Sequence, residues 1–515
     1  MSGPTVETSY GTLEGKEKRG ALSFRGIPFA KPPVGDLRFR PPQPPDAWTG
    51  VRDATTYGPA APQSMGAMNQ LLGGQQGGET SEDCLTLNVF TPAADDGRRP
   101  VMVWIHGGAF LIGTGATPWY DGANLASKRD VVLVSINYRL GALGFLHLGD
   151  LGGDNFAGSG NLGILDQAAA LRWVRDNIAA FGGDPENVTI FGESAGGMST
   201  TTLLALPEAR GLFHRAIPQS GAASFVHAPD AAEAVSREVM AEVGLGPSDV
   251  ARLREIPAEA LADAQSAVMM RHWSEPGLSM PFQPVVDGVS LPEHPLTGVR
   301  AGTAGNAPLM TGTTLEEMNL FITLDPRLME MTEHDLVARA ERYFGGQLDP
   351  AKVVGAYRGR LGADAPLTDV LCAILTDAAF RVPAIRLAEA QGAHEPSTHM
   401  YLFTYRTPEF AGRLGACHAL ELVFMFDNLD APGAAFLAGQ PTPEMRELST
   451  AMADAWCEFA RTGTPKAAGL PDWPAYEPGS RSTMVLGTDG GCEVVDDPYG
   501  DERALWDDVP LGGLV

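Results

Sequence analysis

From about Pro100 onward, short continuous apolar runs alternate with longer stretches in which apolar residues recur every three or four positions. The runs PVMVWIH (Pro100 to His106) and VVLVSIN (Val131 to Asn137) show no polar alternation, the mark of strands covered on both faces. Helical spacing holds from Leu162 to Phe181 and stops at Gly182-Gly183, a natural C-cap. A strand is predicted at Val188 to Phe191 and a helix at Ala195 to Leu206, ended by Pro207. Further strands are predicted at Pro308 to Thr311, Met400 to Tyr405 and Thr483 to Leu486, and a long amphipathic helix at Thr450 to Arg461. Strands alternating with helices predict an α/β fold, with a large, mostly parallel sheet covered by helices on both faces. Residues 64–80 include LLGGQQGGET (Leu71 to Thr80), which has no periodicity and is expected to be a mobile surface loop.

Length alone would allow two or three domains at 515 residues. No internal repeat and no compositional linker divides the chain, so residues 1–515 are expected to form one domain with decorated loops. The formal net charge of −26 repels phosphate backbones and anionic headgroups, which argues against nucleic acid and acidic membrane surfaces as partners. No stretch approaches the ~20 apolar residues of a membrane span, and Met1 to Lys18 has no basic run followed by an apolar one. The five cysteines, Cys84, Cys372, Cys417, Cys457 and Cys492, are odd in number, widely spaced and without CxxC pairs. They read as free thiols in a reducing, cytoplasmic compartment.

Gly192-Glu193-Ser194-Ala195-Gly196 matches G-x-S-x-G and falls between a predicted strand and a predicted helix. With 61 glycines in the chain the motif alone is weak; in that context it marks Ser194 as a nucleophile held on a tight bend. A serine that attacks a carbonyl needs donors for the developing oxyanion. His106-Gly107-Gly108-Ala109-Phe110, directly after the strand PVMVWI, stands where such donors belong, so the Gly108, Ala109 and Ala195 amides are the candidate oxyanion hole. An ordinary glycine-rich turn is the competing reading. A base downstream of Ser194 is also required, and His214, His227, His272, His294, His334, His394, His399 and His418 all qualify. Of these, His418 sits in a small-residue loop ahead of an apolar run, in LGACHALELVFMF (Leu414 to Phe426).

These residues, with others, resemble the type B carboxylesterase family. The match runs through Tyr10-Gly11-Thr12-Leu13-Glu14-Gly15, Phe24-Arg25-Gly26-Ile27-Pro28-Phe29-Ala30, and Ser81-Glu82-Asp83-Cys84-Leu85-Thr86-Leu87-Asn88-Val89. It continues through Asn137-Tyr138-Arg139, Gly163-Ile164-Leu165-Asp166-Gln167, the GESAGG elbow and Trp473-Pro474, in the family's order. The resemblance implies an α/β-hydrolase fold and a Ser, Glu, His triad of Ser194, Glu317 and His418. Met318 departs from the family's usual glycine, Ala419 replaces a frequent glycine, and Glu316 offers a second carboxylate beside Glu317. The resemblance further implies a buried polar network of Glu193, Ser220 and Glu421 beside the triad, and structural ion pairs Arg38 with Glu82 and Arg139 with Asp166. Secreted relatives bridge the cysteine matching Cys84 to one upstream, and here none stands upstream.

The expected activity is acyl transfer through an acyl-enzyme on small to medium apolar or aromatic esters, without cofactor or metal. Carbamate or amide hydrolysis by the same residues is the alternative, and a binding protein on the same scaffold the more distant one. No HExxH, Walker or paired CxxC signature is present, and Gly113-Thr114-Gly115 lacks the third glycine of a dinucleotide loop. The expected partner is the ester substrate alone, with the chain a monomer or weak homo-oligomer. Met269 to Phe282 (MMRHWSEPGLSMPF) and the 64–80 loop are expected to line or cover the entrance, core packing being the competing explanation of those methionines.

Overall fold

A computed structural model of the chain describes residues 3–64, 79–222, 225–274, 280–344, 348–487 and 491–509. The loop expected at 64–80 therefore lies outside the described residues except at Ser64, Glu79 and Thr80. An eleven-stranded sheet dominates, in the spatial order Glu493–Asp496, Ser482–Leu486, Thr398–Phe403, Leu309–Thr314, Arg215–Gln219, Gly183–Glu193, Arg99–Ile105, Val132–Ile136, Thr86–Thr91, Ala21–Pro28 and Lys16–Lys18. The seven strands from Ser482–Leu486 to Val132–Ile136 run parallel, and antiparallel strands close both edges. A smaller sheet joins Thr5–Thr8, Gly11–Glu14 and Val51–Asp53. This is the α/β-hydrolase fold.

The central strand Arg99–Ile105 shows how the sheet builds two cores. Alternate side chains leave a strand on opposite faces. Val101, Val103 and Ile105 enter one apolar cluster, with Leu171, Val174 and Met198; Met102 and Trp104 enter the other, with Phe191, Phe426 and Trp456. Trp104 meets Phe191 and Phe426 edge-on at 4.9 Å, and each such fully buried side chain contributes on the order of 1.5–3 kcal/mol.

Several elements extend beyond their predicted bounds. The Val188 to Phe191 strand starts at Gly183, because Gly183 pairs with Arg99 across an irregularity even though Asp184, Pro185, Glu186 and Asn187 carry no strand pattern. The Thr450 to Arg461 helix begins at Pro443, where the Thr442 side chain caps the Met445 amide and proline occupies a first-turn position that needs no amide donor. The Leu162–Asn177 helix tightens into a 3-10 turn, Ile178–Phe181, and ends at Gly182 with φ 78°, as the glycine pair predicted. Both expected ion pairs form: Arg38 grips Glu82 at 2.7 and 2.5 Å, and Arg139 grips Asp166 at 2.8 and 2.7 Å.

Candidate active site

The strand Gly183–Glu193 and the helix Ala195–Ala205 meet at Ser194, whose φ of 57° and ψ of −125° lie where few residues other than glycine settle. Such a conformation costs on the order of 1–3 kcal/mol and persists only when its surroundings enforce it. Here they do. The Ser194 amide donates to Gln219 O at 3.0 Å, and a Cβ on Gly196 would stand 2.0 Å from Ile105 O, one on Gly192 2.6 Å from Gly196. The bend therefore requires glycine on both sides of the serine. Glu193 and Ala195 are buried, whereas Ser194 keeps partial exposure. All eleven residues of the following helix are buried, and Thr200, Thr201 and Thr202 satisfy their hydroxyls on carbonyls four residues back.

The His106 to Phe110 segment lies against this bend: a Cβ on Gly107 would stand 2.6 Å from Glu193 O and 3.1 Å from Ser194 Cβ. Gly108, Ala109 and Phe110 have φ of 113°, 55° and 59°, so the chain coils through three left-handed positions in succession. Leu111 and Ile112 amides fold back onto Gly108 O, while the amides of Gly108, Ala109 and Ala195 donate to no protein acceptor among the described residues. An oxyanion calls for free donors of this kind beside the nucleophile. His106 itself stacks on Tyr138 at 4.5 Å, and burial holds its ring down at about 4, so it stays neutral.

Glu317 follows the strand Leu309–Thr314 and is fully buried. Its Oε1 accepts the Thr314 amide at 2.7 Å and the Ser220 hydroxyl at 2.6 Å, and its Oε2 lies 2.6 Å from His418 Nδ1. With Nδ1–H donating to Glu317 Oε2, Nε2 is left as the basic nitrogen. That nitrogen faces the bend, with Glu193 Oε1 at 3.0 Å. No hydrogen bond joins Ser194 Oγ to the ring among the described residues; such contacts commonly tighten only around bound substrate. Glu316 points elsewhere, pairing with Arg406 at 3.0 Å and accepting the Ala416 amide at 2.9 Å. Met318 has φ −77°, so its position makes no demand for glycine, whereas Ala419 has φ 66° and explains why glycine is frequent there.

The electrostatics of this pocket are crowded. Burial opposes a charged His418, but the carboxylates of Glu193 and Glu317 outweigh it and raise the ring to about 9. Burial pushes Glu193 up to about 7, and burial with the charges of Glu193 and Glu317 pushes Glu421 well above the carboxylate range. Three buried carboxylates around one imidazole cannot all ionise. Three donors converge on Glu317, whereas burial and the neighbouring carboxylates favour the protonated form of Glu421. Of the expected polar network, Ser220 touches Glu317 and Glu193 touches His418. Glu421 is reached only through Gln219, which donates to it at 3.1 Å and accepts from Trp456 at 3.1 Å.

Sequence reasoning missed Gln219 and the phenyl rings of Phe321 and Phe380, 5.3 and 5.0 Å from the His418 ring. No spacing in the chain marks those two. Conversely, the expected entrance stretch Met269 to Phe282 divides otherwise: Met270 is 68% exposed on the helix Ala258–Ser274, Phe282 is fully buried in the core, and residues 275–279 lie outside the described residues. Solvent accounts for Met270 and core packing for Phe282, while Met280 is half-buried against the same core.

Comparison with known proteins agrees along the whole chain. The sequence pattern of the carboxylesterase family matches residues 2–505. The para-nitrobenzyl esterase of Bacillus subtilis (strain 168) is 41% identical over 504 residues, 98% of each chain. The phenmedipham hydrolase of Pseudarthrobacter oxydans is 37% identical, over 96% of this chain and 97% of that one. Among solved structures, a Geobacillus stearothermophilus carboxylesterase at pH 6.2 superposes with a TM-score of 0.88 at 45% identity, covering 98% of this chain and 100% of that one.

Proposed function

The chain belongs to the carboxylesterase family and hydrolyses carboxylic esters, and we propose that Ser194 is its nucleophile, His418 its general base and Glu317 the carboxylate that orients the base. His418 Nε2 takes the Ser194 proton as Oγ attacks the ester carbonyl. The tetrahedral oxyanion is held by the Gly108, Ala109 and Ala195 amides, charge that develops only on the way to the intermediate. His418 returns the proton to the departing alcohol, and water then repeats the sequence on the acyl-enzyme. Glu317 fixes the tautomer and stabilises the imidazolium without itself taking the proton.

The observation that carries this reading is the buried His418 ring, tied through Nδ1 to Glu317 at 2.6 Å and turned through Nε2 toward the bend that holds a partly exposed Ser194. Phe321, partly exposed beside the imidazole, favours small to medium apolar or aromatic esters. Para-nitrobenzyl esters are the first substrates to test and phenmedipham the second, after the two relatives. Ser194→Ala is expected to abolish p-nitrophenyl ester turnover with Tm nearly unchanged, and a fluorophosphonate is expected to label the wild type alone. Full turnover in Ser194→Ala would overturn the assignment.

We further take residues 1–515 as one domain, since one sheet draws strands from Lys16 through Asp496. The five cysteines are free, four of them buried, which fits a cytoplasmic protein acting as a monomer or weak homo-oligomer. Among the described residues no helix is long and apolar enough to cross a membrane.

A further inference from the structure

Between the helices Leu367–Thr376 and Val382–Gly392, the residues Asp377–Arg381 form a π-helical turn, with the Val382 amide reaching back to Asp377 O. All five residues are buried. A π-turn inserts one residue into a helix and re-aims the side chains beyond it; such turns are rare and concentrate at functional sites. Here the re-aimed neighbours are Phe380 and Arg381, and they serve opposite ends of one arrangement.

Phe380, 4% exposed, sets its ring against His418 with centroids 5.0 Å apart and planes at 44°. Arg381 turns to the network behind the turn. It grips Asp377 through Nε at 2.6 Å and Nη2 at 2.8 Å, and donates to Pro498 O at 2.7 Å. Asp377 also accepts the Tyr357 hydroxyl at 2.6 Å, and that hydroxyl accepts the Trp506 indole N–H at 2.8 Å. The helix Pro350–Leu361 and the segment from Pro498 to Trp506 thus hold the turn through charged and polar groups withdrawn from water. Burying such a pair carries a desolvation cost that apolar residues would avoid, which makes fixed geometry the gain to look for. The geometry fixed here ends on a phenyl ring against the imidazole.

We propose that the Asp377–Arg381 π-turn is a positioning device for His418, with Phe380 as the positioning residue. Its ring limits rotation of the imidazole, so that Nδ1 stays on Glu317 and Nε2 stays turned to the Ser194 bend. Phe380 is too buried to be a main substrate contact, whereas Phe321, also against the imidazole, keeps partial exposure. The inference rests on His418 being the general base.

The test uses the full chain with p-nitrophenyl acetate, rates being expressed per active site titrated with a fluorophosphonate. Phe380→Leu keeps an apolar side chain and removes the ring. Its kcat is expected to fall about tenfold, a fraction of the ~100-fold that a 1 Å misplacement can cost, with KM within about twofold of wild type. The acid limb of its kcat/KM profile is expected to move to lower pH, because an imidazolium held less firmly against Glu317 gives up its proton more readily. Tyr357→Phe, which deletes both hydroxyl hydrogen bonds far from substrate, is expected to move kcat and the limb the same way by less, and it decides the matter if Phe380→Leu fails to fold. Wild-type kcat with an unmoved limb, or a rise in KM alone, would overturn the proposal. His418→Ala separates the two levels: if that variant keeps its turnover, the base assignment fails and not merely its bracing.

Discussion

Glu193 Oε1 stands 3.0 Å from His418 Nε2, on the opposite side of the ring from the 2.6 Å contact between Nδ1 and Glu317. The imidazole is therefore held between two carboxyl groups, one oriented by three donors and the other a competitor for the nitrogen that, in the proposed triad, receives the serine proton. Each negative charge nearby favours the protonated ring, which cannot act as a base.

This arrangement sets the pH dependence. Glu193→Gln removes a charge that helps raise His418 to about 9, so the ring should deprotonate at lower pH. The acid limb of kcat/KM is expected to shift to lower pH, with activity retained below the wild-type range. A full pH–rate profile of both proteins checks this, and an alkaline shift would contradict it.

The two neighbouring glutamates should separate cleanly. Glu317→Gln leaves the shape and removes the charge that stabilises the imidazolium, with an expected loss of about 10³–10⁴ in kcat. Glu316→Gln touches only the Arg406 pair and the Ala416 amide, and should change kcat by less than about tenfold. Steady-state kinetics on the two variants, side by side, test the difference; equal losses would contradict it.

Stability should hinge on the Arg139–Asp166 pair, 3% and 0% exposed. Arg139→Leu strands the Asp166 carboxylate in the core, and a loss of about 3–5 kcal/mol is expected. Denaturant unfolding with catalytic activity as a second probe measures it. A midpoint equal to wild type would show that Asp166 finds another partner or a proton at no cost.

Ala419, buried with φ 66°, makes the opposite prediction. Ala419→Gly relieves the left-handed strain at the expense of a looser unfolded chain, for a net gain of about 0.5–1 kcal/mol with the His418 loop unchanged. A higher Tm at unaltered kcat is the expected result.

The parts of the molecule that were legible in the sequence are those governed by local rules. The apolar runs announced the central strands, and the glycines around Ser194 announced the bend because no other residue fits there. Glu317 was readable only through family resemblance, and His418 was the favoured one of eight histidines until that resemblance singled it out, since a carboxylate and an imidazole joined across a separation of 101 residues leave no local pattern. Phe380 was invisible for a further reason. Its role depends on a one-residue shift in helical register at Asp377–Arg381, and the apolar spacing of the flanking helices continues through that shift. The Pro443 start was missed although Thr442 and Pro443 are themselves an N-terminal signal.

In the proposed triad the base His418 arrives so late in the chain that a ribosome which has already delivered the serine bend would have delivered nothing able to cleave an ester. The growing polypeptide would stay chemically silent until its last third docks beside the Leu309–Thr314 strand and seats His418 on Glu317. Turnover by nascent or truncated chains would therefore report completion of synthesis and docking, rather than the folding of the bend itself.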